Sequence, residues 1–225
     1  DFEIIKEAGL NTIRVFIQYE DFGKANVNPA KLDKLNDLLD TAENVDLKVI
    51  VTLFDFYGDY TILNWTLTHR HAEAIVSKFK DHKAILAWDI KNEPDLDFTS
   101  RGKDLVLSWL KSMIDNIKNI DPNHGVTIGW AKSKNAVLLK DKVDLVSFHY
   151  YENIHELENK YKQMKIDIPN KPLMLGEYGV SSYKGFWKPF GGSEENQSDF
   201  HKKMQNIFKR NNIKYMFWTF YNFIK

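Results

Sequence analysis

The chain has 225 residues, 43% hydrophobic and 14% aromatic, with 31 basic and 31 acidic side chains and no formal net charge. That length suits one domain with its own core, and the charge balance argues against nucleic acid as the main partner, which would call for a basic stripe. The absence of cysteine excludes disulfides and thiolate metal sites within these residues, and no apolar run approaches the roughly 18 residues of a membrane span.

The chain opens on a helix: Phe2, Ile4, Ile5 and Ala8 suit one buried face, and Gly9 stops it. Residues 11–16 read as a strand. After a loop at Gly23, Pro29 starts a helix whose Leu32, Leu35, Leu38, Leu39 and Ala42 keep helical spacing. Residues 48–54 form a buried strand running into an aromatic, polar loop over 55–65. A helix over about 68–81 carries Ala72, Ile75, Val76 and Phe79 on one side, and His82 suits its negative end. The next strand, 84–94, has the buried strand formers Ile85, Leu86 and Ile90 and ends at Pro94, which cannot donate to a ladder.

A helix over 105–120, with Leu107, Leu110, Ile114 and Ile117 on its stripe, precedes a strand over 126–130 and a short helix over 136–139. A strand over 143–149 ends in His149-Tyr150-Tyr151, and a helix follows over 154–164. Residues 171–177 make a strand with Glu177 at its tip. A long, flexible loop with Trp187, Phe190 and Gly191-Gly192 leads to a helix over 200–208 and a last strand over 214–218.

Seven strands and seven helices alternate, which predicts parallel strands joined by helical crossovers. Glu93 and Glu177 are 84 residues and three strands apart. That is about 28 residues per unit, against about 31 in an eightfold barrel of about 250 residues. The expected fold is therefore an α/β (β/α)8 TIM barrel lacking its first strand and last helix within the given sequence. An open doubly wound sheet competes, but no strand is followed by a Gly-rich phosphate turn. In a barrel, chemistry sits at the C-terminal strand ends, where Glu93 and Glu177 both fall.

Two carboxylates at separate strand tips can face each other across a barrel mouth, as glycosidic cleavage requires. One carboxyl protonates the leaving oxygen, and the other attacks the anomeric carbon or activates water. A separation of about 5–5.5 Å corresponds to retention and about 6.5–9.5 Å to inversion. The pair needs opposite tuning, one pKa raised by burial and one held low by positive charge or donors. Arg14, on an early strand, is placed to supply that charge. Trp218 ends the last strand, and an indole face suits the C–H face of a sugar ring.

Five pieces then carry a resemblance: Gly9-Leu-Asn-Thr-Ile-Arg14, Trp88-Asp-Ile-Lys-Asn-Glu-Pro94, Phe148-His-Tyr-Tyr151, Leu175-Gly-Glu-Tyr-Gly179 and Phe217-Trp218. In this order, over nearly the whole chain, they resemble clan A glycoside hydrolases, most closely the family 5 cellulase and mannanase group. The resemblance implies a retaining β-glycoside hydrolase acting on a β-glucan or β-mannan type of glycan, with no cofactor. Glu93 then matches the acid/base and Glu177 the nucleophile. Asn92 matches the group that binds the sugar 2-hydroxyl, and Arg14 and Tyr151 match hydrogen-bond donors to the nucleophile. His149 matches a residue lining the cleavage subsite, and Trp218 the platform beneath that sugar.

Many members carry a histidine near the end of the third barrel strand, where this chain has Phe54-Asp-Phe-Tyr57. Asp55 is a candidate for binding a sugar hydroxyl or for capping a turn. Members also begin with a strand before the first helix. The expectation is therefore a single glycoside-hydrolase-like barrel domain over residues 1–225 that is a fragment at both ends, with about ten residues of strand and turn before Asp1 and a helix after Lys225. The given residues start Asp1-Phe2-Glu3 and carry no signal-peptide pattern, as the mature form of a secreted protein would. An extracytoplasmic compartment and a monomer are the expectations.

Trp65, Trp130, Trp187, Tyr57 and Tyr60 lie in strand-end loops, lining a cleft or packing down. Trp88 and Trp109 read as core. His69 and His71 are two apart and do not share a helix face, so no metal site is expected there. Two rival readings are a catalytically inactive glycan-binding barrel, and an aldolase-like barrel using Lys91.

Overall fold

Side-chain caps set where three of the helices begin. In the computed structural model, which describes residues 1–182 and 192–219, Asn28 accepts a hydrogen bond from the Ala30 N–H at 2.9 Å, with Pro29 in the first turn of α2 (Pro29–Asn44). Asn153 caps α5 (Ile154–Asp167) through the His155 N–H at 3.0 Å, and Ser193 caps α6 (Glu194–Asn211) through the Asn196 N–H at 3.1 Å. Each cap satisfies a donor that a helix start leaves unpaired. The other helices are α1 (Phe2–Glu7), α3 (Trp65–Phe79) and α4 (Lys103–Ile120).

The strands are β1 (Thr12–Gln18), β2 (Lys48–Asp55), β3 (Ile85–Asn92), β4 (Gly125–Trp130), β5 (Val146–His149), β6 (Leu173–Glu177) and β7 (Lys214–Tyr215). They pair in sequence order, every pair parallel. Helical crossovers return the chain to the same edge each time, so all seven strand C-termini share one end. The result is a curled partial barrel with helices outside, as the sequence predicts. Among the described residues, β1 and β7 do not pair. An apolar cavity of about 850 Å³ lies at that side, lined by Ile13, Val15 and Phe16 of β1 and by Tyr215, Phe217 and Trp218 of the last strand and its exit.

Burial follows from having helices on the outer face and a filled interior. β2 buries seven of its eight residues, the continuous apolar run expected of a strand covered on both sides. The main core joins outward strand residues to helix stripes and includes Trp88 and Trp109, both fully buried. Inside the barrel, Ile50, Ala87 and Met174 form a small separate cluster. Polar residues lie above it, nearer the strand tips.

Several local readings change. Ile4 is 54% exposed and only Ile5 of α1 is buried, because α1 lies over a partly open sheet. Leu86 is 44% exposed and lines the cavity. The short helix expected over 136–139 is a 3-10 turn at Ser133–Asn135 followed by turns. The apolar residues there suggested helical spacing, yet Ala136 and Leu139 reach the core from turns. β7 stops at Tyr215, and Trp218 lies beyond it in irregular chain. His82 falls outside α3 and pairs with Asp40 at 3.0 Å.

Tyr57 and Tyr60 do not line a cleft; they pack with Trp109 under the strand ends. Trp130 is likewise buried, against Phe98. Trp65 is half-buried and donates its indole N–H to the Tyr60 carbonyl at 2.9 Å. Trp187, Phe190 and Gly191, and with them most of the expected flexible loop, lie outside the described residues. Among the described residues no helix is long and apolar enough to cross a membrane.

Candidate active site

Arg14 enters the barrel from β1 with its side chain 5% exposed. Its Nε donates to Thr52 Oγ1 at 2.9 Å and to Asp89 Oδ2 at 3.0 Å. Its Nη2 reaches Asp89 again and Asn92 Oδ1 at 3.0 Å, and its Nη1 donates to Glu177 Oε1 at 2.7 Å. Only the planar guanidinium fork can serve acceptors from β2, β3 and β6 together. Burial works against its charge, but Asp89 and Glu177 outweigh burial and raise its pKa.

Space for that fork comes from Gly129 on β4. A Cβ there would lie 2.6 Å from Arg14 Nη2 and 3.2 Å from His149 Nε2. Gly176 on β6 is constrained in the same way, since a Cβ would collide with Ser147 Oγ.

Glu177 ends β6 and is 8% exposed. Besides Arg14, its Oε2 accepts from the Tyr151 hydroxyl at 2.9 Å. Burial, and next the charge of Glu177, raise the Tyr151 pKa, so the phenol stays a donor. His149, at the tip of β5 with a fully buried side chain, stands between the two acids. Its Nδ1 lies 2.8 Å from Glu93 Oε1 and 3.5 Å from Glu177 Oε2, and its Nε2 lies 3.4 Å from Arg14 Nη1. With Nδ1 protonated and Nε2 accepting, the imidazole satisfies both neighbours; this tautomer is assigned from the network.

Glu93 follows β3 in the left-handed region, at φ 50° and ψ 49°. For a residue other than glycine that conformation costs about 1–3 kcal/mol. The neighbouring strand supports it: the Glu93 N–H donates to the Gly129 carbonyl at 2.7 Å. The turn aims the side chain inward, where it remains about one-quarter exposed. The hydrogen bond from His149 lowers its pKa, with burial acting in the opposite direction. The raised acid expected from the sequence is therefore not found at Glu93, because a donor to the ionised form outweighs desolvation.

A ligand atom from each of Glu93, His149 and Glu177 lies within 4.8 Å of the other two. The two carboxylates, 84 residues apart in sequence, thus meet within that distance. The same trio is the set that could ligate a cation among the described residues. The Arg14 guanidinium at Glu177 already balances negative charge there.

The remaining predicted residues converge too. Asn92, at the tip of β3, holds Arg14. Asp55, at the tip of β2, is 8% exposed; burial raises its pKa, while Arg14, Lys91 and Asn92 beside it pull it down. Trp218 is 40% exposed and meets Phe16 edge-on at 5.3 Å.

Sequence reasoning missed Asp89, Thr52 and Gly129, which build the seat beneath Arg14. The one available signal was an acid, Asp89, set between the apolar Ala87-Trp88 and Ile90 of β3 and 1% exposed in the structure. Lys91, the candidate of the aldolase reading, is engaged: its Nζ donates to the Asn92 carbonyl at 3.0 Å and lies 3.4 Å from Asp97. Burial lowers its pKa, and Asp97 acts the other way.

A family model described as Cellulase (glycosyl hydrolase family 5) matches residues 1–223. The mannan endo-1,4-beta-mannosidase A of Emericella nidulans is 24% identical over 209 residues, covering 75% of this chain and 54% of that protein. The beta-glucuronidase of Chlorocebus aethiops is 27% identical over 191 residues, covering 77% of this chain and 28% of that protein. The chain thus spans about half, or less, of the length of these relatives. The structure of an endo-1,4-beta-mannanase from Rhizomucor miehei superposes with a TM-score of 0.77 at 17% identity, covering 97% of this chain and 80% of that one.

Proposed function

The chain belongs to glycosyl hydrolase family 5, and on that premise we propose that it is a retaining β-glycosidase acting on an uncharged β-linked glycan, with β-mannan the first candidate and β-glucan the second. The observation that carries the reading is the approach of Glu93 and Glu177 to within 4.8 Å, oxygen to oxygen. That distance is short of the gap an inverting enzyme keeps for a water between its acids, and close to the separation used for direct attack.

In the proposed reaction Glu177 Oε attacks the anomeric carbon as Glu93 passes its proton to the departing glycosidic oxygen. The C–O bond breaks and a glycosyl ester of Glu177 forms. Glu93, now ionised, takes a proton from water, which attacks the same carbon and frees Glu177. Arg14 and Tyr151 hold the Glu177 carboxylate in one rotamer. Asn92 and Asp55 face the sugar hydroxyls, and Trp218 offers an indole face to the ring.

Glu93 must be protonated when the glycan is bound. A sugar in the cleft removes water from this partly exposed carboxyl, and the nearby charge of Glu177 disfavours a second anion; both raise its pKa. The choice of mannan rests on the names of the mannosidase and mannanase relatives. The inactive glycan-binding alternative has no observation in its favour, since both acids and their donors are intact.

The test is a panel of β-mannans and β-glucans assayed for new reducing ends, with proton NMR of the first-formed anomer. The expected result is β-anomer product, with Glu177→Gln slower by more than about a thousandfold, the scale of losing a nucleophile. Equal product from the variant, or α-anomer formed first, would discard the reading.

A further inference from the structure

Asp95 is a buried carboxylate, 7% exposed, two residues after Glu93. It is the second residue of the short 3-10 turn Pro94–Asp97 and caps none of that turn's own N–H groups. Both of its oxygens reach across to the exit of β4. Oδ1 accepts from the Ala131 N–H at 2.8 Å, and Oδ2 accepts from the Lys132 N–H at 3.1 Å and from the Asn135 amide at 2.9 Å. The strained Glu93 lies between this clamp and its own N–H bond to the Gly129 carbonyl. The β3 exit is thus tied to the β4 exit on both sides of the residue whose side chain must meet the leaving oxygen. Among the described residues the side-chain hydrogen bonds of that second tie all go to Asp95; Phe98 adds only a ring contact to Trp130.

We propose that Asp95 is a positioning residue for acid catalysis: it fixes the turn after Glu93 against β4 and so holds the Glu93 carboxyl on the glycosidic oxygen. The proposal rests on the reading of Glu93 as acid/base. A misplacement of about 1 Å in a positioned group can cost about a hundredfold in rate, and losing the acid altogether costs about 10²–10⁴-fold. A proton is needed only where the leaving group is basic. With a 2,4-dinitrophenyl glycoside, the C–O bond breaks to release a stable phenolate as the Glu177 ester forms, and no proton is transferred. With an alkyl glycoside or the glycan itself, the departing oxygen must be protonated.

The test measures kcat/KM of wild type, Glu93→Ala and Asp95→Ala on a dinitrophenyl glycoside and on a glycoside of a poor leaving group. Circular dichroism checks the fold. Asp95→Ala is expected to lose about a hundredfold on the poor leaving group and less than about threefold on the dinitrophenyl substrate, a smaller copy of the Glu93→Ala pattern. If Asp95→Ala does not fold, Asp95→Asn, which keeps one acceptor and loses the charge, carries the same comparison. Equal losses on both substrates, or none, while Glu93→Ala discriminates between them, would overturn the proposal. If Glu93→Ala itself shows no dependence on the leaving group, the acid/base reading fails instead.

Discussion

His149 connects the two acids electrically, and its effect can be isolated. Its Nδ1 hydrogen bond stabilises ionised Glu93 and is the leading reason for the low pKa there; burial alone would raise it. In His149→Ala the leading pull is gone and burial is opposed only by the smaller pulls of Arg14 and Lys91, so the Glu93 pKa rises. The alkaline limb of kcat/KM reports the acid that must stay protonated in the free enzyme, so that limb is expected to move to higher pH in the variant. A limb that stays put or moves down would show that His149 does not set the acid. Asn92, Glu93, His149 and Glu177 were readable from short motifs because each sits at a strand tip or just past it. Asp89 was not, since an acid inside an apolar strand declares a partner without saying which one. Arg14 comes to it from another strand, 75 positions earlier.

At the scale of elements, the site depends on how closely β4 lets its neighbours approach. Gly129 pairs with Asn92 of β3 and Ser147 of β5 and sits against the Arg14 fork. In Gly129→Ala the new methyl must displace Nη2 or the strand, and Nη2 is held by Asp89 and Asn92. The expected result is at least a tenfold fall in kcat with a stability loss of about 1–3 kcal/mol, the usual range for overpacking, read from turnover and urea unfolding. Wild-type kcat would mean that Arg14 is not needed where it lies. Helix and strand order was legible because apolar spacing and caps are local. The readings that changed, Ile4, Leu86 and the turn over 136–139, depend on which neighbour covers a face, and local spacing does not encode that. The left-handed turn at Glu93 was also hidden, because it is held by the Gly129 carbonyl on another strand.

Over the whole molecule, balanced charge makes a prediction about substrate. A chain with no net charge facing an uncharged glycan has no long-range steering to screen. On β-mannan, kcat/KM is expected to change less than about twofold between 10 mM and 500 mM salt. A steep fall with salt would point to an anionic substrate instead. The alternation of strands and helices, read along the chain, was enough to place every strand C-terminus at one end, because parallel crossovers permit little else. That same constraint made two distant glutamates candidates for one site. Their meeting within 4.8 Å, the guanidinium that bridges three strands and the inverted pKa direction of Glu93 came from folding alone. Distances and desolvation are properties of neighbours brought together in space, and no order of residues along a chain states them.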